Sequence, residues 1–202
     1  MNPLACTLLA DGSSDRVLLP VLTWLLNQHC DRPHSIEVAP IFQGSLEDRM
    51  RRALDDYPCD ILFIHRDAEA ADPKDREREI RGASDACRPS ASVVTIIPVR
   101  MTEAWLLFDE RAIRVAAGNP RGAVELDLPP PSRLERLSDP KTVLFDVLRR
   151  ASELPPQRLR RFQPESRRHR IMELVTEGNF APLRQLEAFC RLESQVETLF
   201  AS

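Results

Sequence analysis

The sequence predicts an α/β protein with a four-stranded, mainly parallel sheet flanked by helices and a C-terminal helical extension. Between residues 3 and 117, short apolar runs typical of strands alternate four times with segments of helical character. Strands separated by helices favour parallel pairing through right-handed crossovers. The composition, 43% hydrophobic and 29% charged, is that of a globular protein.

Each predicted strand is a short apolar run. The four runs are Pro3–Ala10, Ile36–Phe42, Asp60–His65 and Ser92–Val99. Apolar spacing or a start signal predicts helices over Ser14–Cys30, Leu46–Asp56, Asp72–Cys87 and Glu103–Ala117. The third helix starts at Asp72 and Pro73, an N-cap residue followed by a first-turn proline. Residues 1–120 are therefore predicted to form the α/β domain.

The second half of the chain has no comparable alternation. Residues 118–131 are rich in turn formers and end in three prolines. Helices are predicted from Asp139 to about Ala151 and over Asn179–Phe200. We expect residues 121–202 to form a helical extension packed on the same domain.

Composition excludes several classes of protein. No apolar run approaches the roughly 18 residues of a membrane helix, and no basic leader precedes the first strand. The five cysteines are widely spaced and contain no CxxC pair, which disfavours a disulfide framework or a zinc site. We expect a soluble, cytoplasmic protein. Its net charge of -3 is uneven, because residues 132–202 hold 13 basic and 10 acidic side chains.

Acidic residues follow three of the four predicted strands. Asp11 follows the first strand, Asp67 and Glu69 follow the third, and Glu103 follows the fourth. Because parallel strands end at one edge of a sheet, these side chains are expected in one cleft, with Glu103 at its margin. Mg²⁺ prefers such oxygen ligands. The alternatives are a turn residue at Asp11, solvated loop charges after the third strand, and a helix-start acid at Glu103.

The order of strand, acid, glycine and helix, followed by strand and Asp-x-acid, resembles a TOPRIM (topoisomerase–primase) domain, which is Rossmann-like. Four segments more specifically resemble a TOPRIM-like family of uncharacterised bacterial proteins: LLADGSSDRVLLPVLTWLL, HRDAEA, IPVRMTEAWLLFD and DPK. The resemblance spans most of the chain, and its DGSSD and TEAWLL pieces are the most specific to that family.

The resemblance implies roles for particular residues. Asp67 and Glu69 would hold Mg²⁺ or Mn²⁺, and Asp11 would be a further ligand or the acid–base residue. Glu103 would be an outer-shell or second-metal residue in catalysis, and Arg100 would neutralise a phosphate. Asp11 stands where a typical TOPRIM domain has Glu, and Glu69 where it has Asp. Catalysis tolerates such changes of length less well than metal binding does.

The segment Arg149–Arg170 is strongly basic, with eight arginines and two acids. One hypothesis is contact with a phosphate backbone. The residues assigned to that contact are Arg158, Arg160, Arg161, Arg167, Arg168 and Arg170. The alternative is a solvated or ion-paired helical surface. Phe162 is the sole aromatic residue there, which gives little support to stacking on single strands.

The leading functional hypothesis is a divalent-metal-dependent nuclease or related phosphoryl-transfer protein acting on nucleic acid. The resemblance to TOPRIM nucleases implies a role in defence or mobile-element biology. The alternative is a degenerate TOPRIM-like module that binds nucleic acid, nucleotide or a partner protein without cleavage. A third hypothesis, a flavodoxin-like small-molecule binder, would require a wide apolar pocket at the same edge. His65 is interpreted as a core or edge histidine. The oligomeric state stays open.

Overall fold

A computed structural model describes residues 2–68, 72–99, 102–176 and 180–201 of the chain. These residues divide into two compact units. The first unit contains residues 1–99 together with residues 188–202, and the second contains residues 100–187. The boundary therefore lies near residue 99 instead of residue 120, and the C-terminal helix belongs to the unit that contains the sheet.

The first unit contains the predicted four-stranded parallel sheet, which the structure confirms. Its strands are β1 (Leu4–Leu9), β2 (His34–Val38), β3 (Ile61–His65) and β4 (Ser92–Ile96). They are parallel and lie in the order β2-β1-β3-β4. The two central strands, β1 and β3, are almost entirely buried, as expected of strands covered on both faces.

Helices connect the strands and cover the sheet. A 3₁₀ segment, Ser13–Leu18, leads into α1 (Leu19–His29). The next two helices are α2 (Leu46–Asp56) and α3 (Pro73–Cys87). Apolar side chains of α2 and α3, among them Met50 and Ile80, form one buried cluster with Leu9, Leu62 and Ile64 of the sheet.

Local capping chemistry sets several helix starts. Asp72 accepts a hydrogen bond from the backbone N–H of Lys74 at 2.9 Å, and Pro73 follows it in the first turn of α3. Ser45 caps α2 by accepting from the N–H of Asp48 at 3.1 Å. The prediction that a helix begins at Asp72 and Pro73 is confirmed.

Prolines and caps also explain where the predicted boundaries differ. The first part of the predicted helix Ser14–Cys30 is the 3₁₀ segment, and α1 begins only at Leu19. Pro20 has no N–H to donate, so it is suited to the first turn of a helix and not to its interior. Strand β2 ends at Val38, two residues before Pro40, although the prediction extended it to Phe42. The predicted strand Ser92–Val99 ends at Ile96, shortly before Pro98.

The second unit is helical in the part that the structure describes. Its helices are α4 (Glu110–Ala116), α5 (Pro131–Leu134), α6 (Pro140–Ser152), α7 (Pro156–Leu159) and α8 (Arg168–Thr176). Segments Thr102–Leu106, Pro164–Arg167 and Ala181–Gln185 are 3₁₀ turns. The predicted helix Glu103–Ala117 is interrupted because Asp109 caps a new helix, accepting from the N–H of Ala112 at 2.9 Å.

The last helix, α9 (Glu187–Phe200), returns to the first unit from Ala188 onward. The rings of Phe189 and Trp24 lie 6.3 Å apart, which joins α9 to α1. Gln195 donates to the carbonyl of Thr95 at 3.1 Å and accepts from its N–H at 2.9 Å. These bonds satisfy the outward-facing peptide groups of β4, an edge strand. Among the described helices, none combines the length and apolar character of a membrane span.

Candidate functional site

The carboxyl ends of β1 and β3 form the topological switch point of the sheet. These strands are neighbours, but the chain leaves β1 toward β2 on one side and β3 toward β4 on the other. Crevices at such points are where open α/β sheets bind ligands. Asp11 follows β1, and Asp67 follows β3, so two of the predicted site residues lie at adjacent strand ends.

His65, the last residue of β3, lies between two carboxylates. Its Nδ1 is 3.2 Å from Oδ2 of Asp15, and its Nε2 is 3.2 Å from Oδ1 of Asp67. The histidine side chain is fully buried, and Asp15 is nearly so. Asp15 is held in turn by the backbone N–H of Gly12, which donates to Oδ2 at 2.8 Å. The imidazole therefore bridges the ends of β1 and β3.

This position makes His65 a buried cation. Burial by itself lowers the pKa of the imidazole, but contact with Asp15 and Asp67 outweighs burial and raises the pKa to about 9. The ring is therefore protonated at neutral pH, and its charge opposes the mutual repulsion of the two carboxylates. The interpretation of His65 as a core histidine agrees with its burial, but it did not include the positive charge of the imidazole.

Asp11 lies between two guanidinium groups. Its Oδ1 is 2.9 Å from Nη1 of Arg49, and its Oδ2 is 2.8 Å from Nε of Arg66. The side chains of Arg49 and Arg66 are 11% and 14% exposed, whereas that of Asp11 is 37% exposed. Arg49 also donates from Nη2 to the carbonyl of Ala10 at 2.7 Å, which fixes it against the end of β1.

The ion pairs continue onto α3. Glu79 accepts from Arg66 at 2.7 Å and from Arg76 at 3.0 Å. Arg76 also donates to the backbone carbonyl of Asp67 at 3.2 Å. Asp11, Arg49, Arg66, Arg76 and Glu79 thus form a continuous network of alternating charge, which we call the arginine network.

The described residues of this edge do not fit a metal ion. In the described parts of the chain, no group of three or more His, Cys, Asp or Glu side chains is placed to hold one. Both oxygens of Asp11 face guanidinium groups, and Oδ1 of Asp67 faces the imidazole. A divalent cation would have to displace or approach these positive charges. Glu69, the third predicted ligand, lies outside the described residues, so the predicted metal site stays a prediction.

Glu103 belongs to the second unit, where it forms a buried ion pair. It is 4% exposed and pairs with Arg168, one of the arginines assigned to phosphate contact. Buried ion pairs are costly to break, because the remaining charge is left without compensation. The contact gives Glu103 and Arg168 a structural role. The predicted place of Glu103 at the margin of the cleft stays a prediction.

The other predicted phosphate contacts divide into two groups. Arg158, Arg160 and Arg161, on α7 and the turn after it, are exposed, and none has an ion-pair partner among the described residues. We call them the α7 arginines. Arg167 lies 5.6 Å from the ring centre of Phe162, and Arg170 pairs with Glu173 at 3.1 Å. Arg100 lies outside the described residues.

Several cavities lie beside the sheet in the described part of the first unit, among them the following two. One, of about 380 Å³, opens at the carboxyl ends of β1 and β2. The other, of about 460 Å³, runs along β4 between α3 and α9. Of these two, the smaller cavity adjoins the strand ends, since Ala10 and Gly12 on either side of Asp11 form part of its wall.

Comparison with family models, with curated proteins and with solved structures finds no match to this chain. The sequence-based prediction missed Asp15, Arg49, Arg66 and Glu79 as members of the edge. Two features of the sequence could have indicated these residues. Asp15 follows Asp11 by four residues, and His65 precedes Asp67 by two, so both lie next to predicted site residues.

Proposed function

We propose that this chain is a TOPRIM-like module that binds nucleic acid without cleaving it. The observation that carries the proposal is the exposure of the α7 arginines without ion-pair partners among the described residues. Unneutralised arginines bind phosphate diesters and release the counterions condensed on them. Most other arginines of the basic segment are already engaged.

The contrast within that segment supports the choice of residues. Arg149, Arg150, Arg168 and Arg170 each pair with a carboxylate of their own unit. An arginine in an ion pair must give up that partner before it gains a phosphate. The α7 arginines give up only water, so we assign the phosphate contact to them.

The arrangement at the sheet edge supports binding without cleavage. Asp11 and Asp67, which would act with metal in a TOPRIM nuclease, are both engaged by cationic side chains. At position 11 this chain has Asp where a typical TOPRIM domain has the longer Glu, and this difference also favours binding without cleavage. A cationic side chain beside a carboxylate oxygen repels a metal ion that approaches the same oxygen.

The test is the salt dependence of nucleic-acid affinity. Replacing Arg158, Arg160 and Arg161 together by Ala should weaken binding and reduce the slope of log K against log salt by about 0.9 for each phosphate that the variant no longer neutralises. The matched control replaces the same residues by Lys, which keeps the charge and should keep the slope. An unchanged slope in the alanine variant would show that these arginines are merely solvated.

A metal-dependent nuclease is the second candidate. It is favoured by the gathering of the Asp11, Asp15 and Asp67 carboxylates at the ends of adjacent strands. Asp67 and Glu69 would then hold Mg²⁺ or Mn²⁺. A cleavage assay on mixed DNA and RNA with either metal decides between the candidates. Cleavage by the native protein that Asp67→Ala abolishes would establish the nuclease and overturn the first proposal.

A further inference from the structure

The cavity at the carboxyl ends of β1 and β2 has the chemistry of a small-molecule site. Its volume is about 380 Å³, near the lower end of the roughly 300–1,000 Å³ found for ligand pockets. Ala10 and Gly12 after β1 line one side, and the end of β2 with its following residues lines the other. The cavity thus lies at the carboxyl edge of the sheet, the edge at which open α/β sheets bind ligands, but on the β2 side of the switch point between β1 and β3.

The apolar part of the wall suits a flat ring. Val38, Pro40 and Ile41 contribute aliphatic surface, and Tyr57 contributes an aromatic side chain. Ile41 is 50% exposed, and it is one of two large hydrophobic side chains so exposed in the described chain. Ile41 and Tyr57 line the same cavity, so they offer apolar surface that a planar ligand would cover.

One cationic side chain completes the wall. Arg16 lines the cavity, is exposed and has no ion-pair partner among the described residues. Arg49, which donates a hydrogen bond to the backbone carbonyl of Ala10, is by contrast already paired with Asp11. Arg16 is therefore the group at this cavity that can take up an anion without giving up an existing partner. A guanidinium matches the geometry of phosphate oxygens.

We infer that this cavity binds a nucleoside monophosphate. The base would lie against Tyr57 and Ile41, and the 5′-phosphate would meet Arg16. The volume favours one nucleotide over a dinucleotide. A bare metal ion is disfavoured by Arg16 and by the apolar wall. The site contains none of the α7 arginines, so a test of nucleotide binding at this cavity is independent of a test of the proposed nucleic-acid contact.

The experiment is calorimetric titration of the full chain with nucleoside monophosphates, with the corresponding nucleosides and with inorganic phosphate. At least one monophosphate should bind at millimolar concentration or below. Its nucleoside should bind at least about tenfold more weakly, because it has no phosphate to make the charge-assisted hydrogen bonds with Arg16. Inorganic phosphate alone should bind most weakly, because it lacks the ring.

Variants identify the residues responsible. Arg16→Ala should abolish the difference between nucleotide and nucleoside, and Arg16→Lys should retain most of it. Tyr57→Ala should weaken both ligands, whereas Tyr57→Phe should not. Arg52→Ala, an exposed arginine of α2 that does not line the cavity, is the matched control and should change nothing. The inference is overturned if no monophosphate binds, or if Arg16→Ala preserves the preference for the nucleotide.

Discussion

The edge of the sheet and the arginine-rich segment of the second unit are both densely charged, but they differ in pairing. At the edge, Asp15 and Asp67 face His65, and Asp11 faces Arg49 and Arg66. On α7, three neighbouring arginines have no such partner among the described residues. Paired charges fix the backbone segments that carry them, and unpaired charges stay available for a ligand. Charge density alone therefore does not locate a binding site in this protein.

The largest expected effect of a substitution is at His65. His65→Gln removes the cation between Asp15 and Asp67, so the nearly buried carboxylate of Asp15 and the partly buried carboxylate of Asp67 lose their shared partner. We expect the free energy of unfolding in urea to fall by about 3–5 kcal/mol, as for other broken buried ion pairs. Adding Asp15→Asn and Asp67→Asn should restore part of the loss. A loss below about 1 kcal/mol for His65→Gln would contradict the ion-pair account of the edge.

The same pairing predicts a dependence of stability on pH. The pKa of His65 rises from 6.5 to about 9 on folding, so the folded state holds its proton more tightly. The resulting stabilisation, about 3 kcal/mol, is fully present below pH 6.5 and is lost as the pH rises through 9. Urea unfolding across this range should show the decline, and His65→Gln should lack it. A flat profile in the native protein would mean that the imidazole is neutral.

Within the second unit, two arginines sharpen the comparison. Arg168 is paired with buried Glu103, and Arg160 is exposed. Arg168→Met should lower the free energy of unfolding by about 2–3 kcal/mol, because it leaves Glu103 buried without its partner. Arg160→Met should change it by less than about 0.5 kcal/mol but weaken binding to nucleic acid. Equal losses of stability would remove the distinction between paired and unpaired arginines.

Asp11 should show a smaller effect, because its carboxylate is partly exposed. Asp11→Asn removes the negative charge between Arg49 and Arg66 but keeps a similar shape. Solvent screening limits the expected loss of unfolding free energy to about 1 kcal/mol. Thermal unfolding with and without high salt measures it, since salt should reduce the difference between the variant and the native protein. A variant that is more stable than the native protein would mean that the ion pairs of Asp11 with Arg49 and Arg66 do not stabilise the fold.

Much of the fold could be predicted because its signals are local. Apolar runs identify the strands, and an Asp followed by Pro identifies the starts of α3 and α6 through one hydrogen bond and a missing N–H. Boundaries failed where a second local signal intervened. Pro20 delays α1, and Asp109 starts a new helix within a predicted one.

The site could be predicted only in outline. Strand ends placed Asp11 and Asp67 at one edge, because that follows from chain direction. The partners of Asp11 could not be predicted, because Arg49 lies 38 residues away on α2 and sequence does not tell which guanidinium reaches it. In the same way, Glu103 and Arg168 are 65 residues apart and meet through the packing of the second unit.

Thermal unfolding with magnesium or manganese, compared with unfolding in a chelator, tests most directly whether side chains of the chain itself balance the charge of this edge. A ligand that binds the folded state raises its melting temperature by mass action. Because His65, Arg49 and Arg66 already neutralise the carboxylates, millimolar metal should leave the melting temperature of the native protein unchanged. A metal-dependent rise in the native protein that Asp67→Ala abolishes would contradict this account and establish a metal site at the ends of β1 and β3.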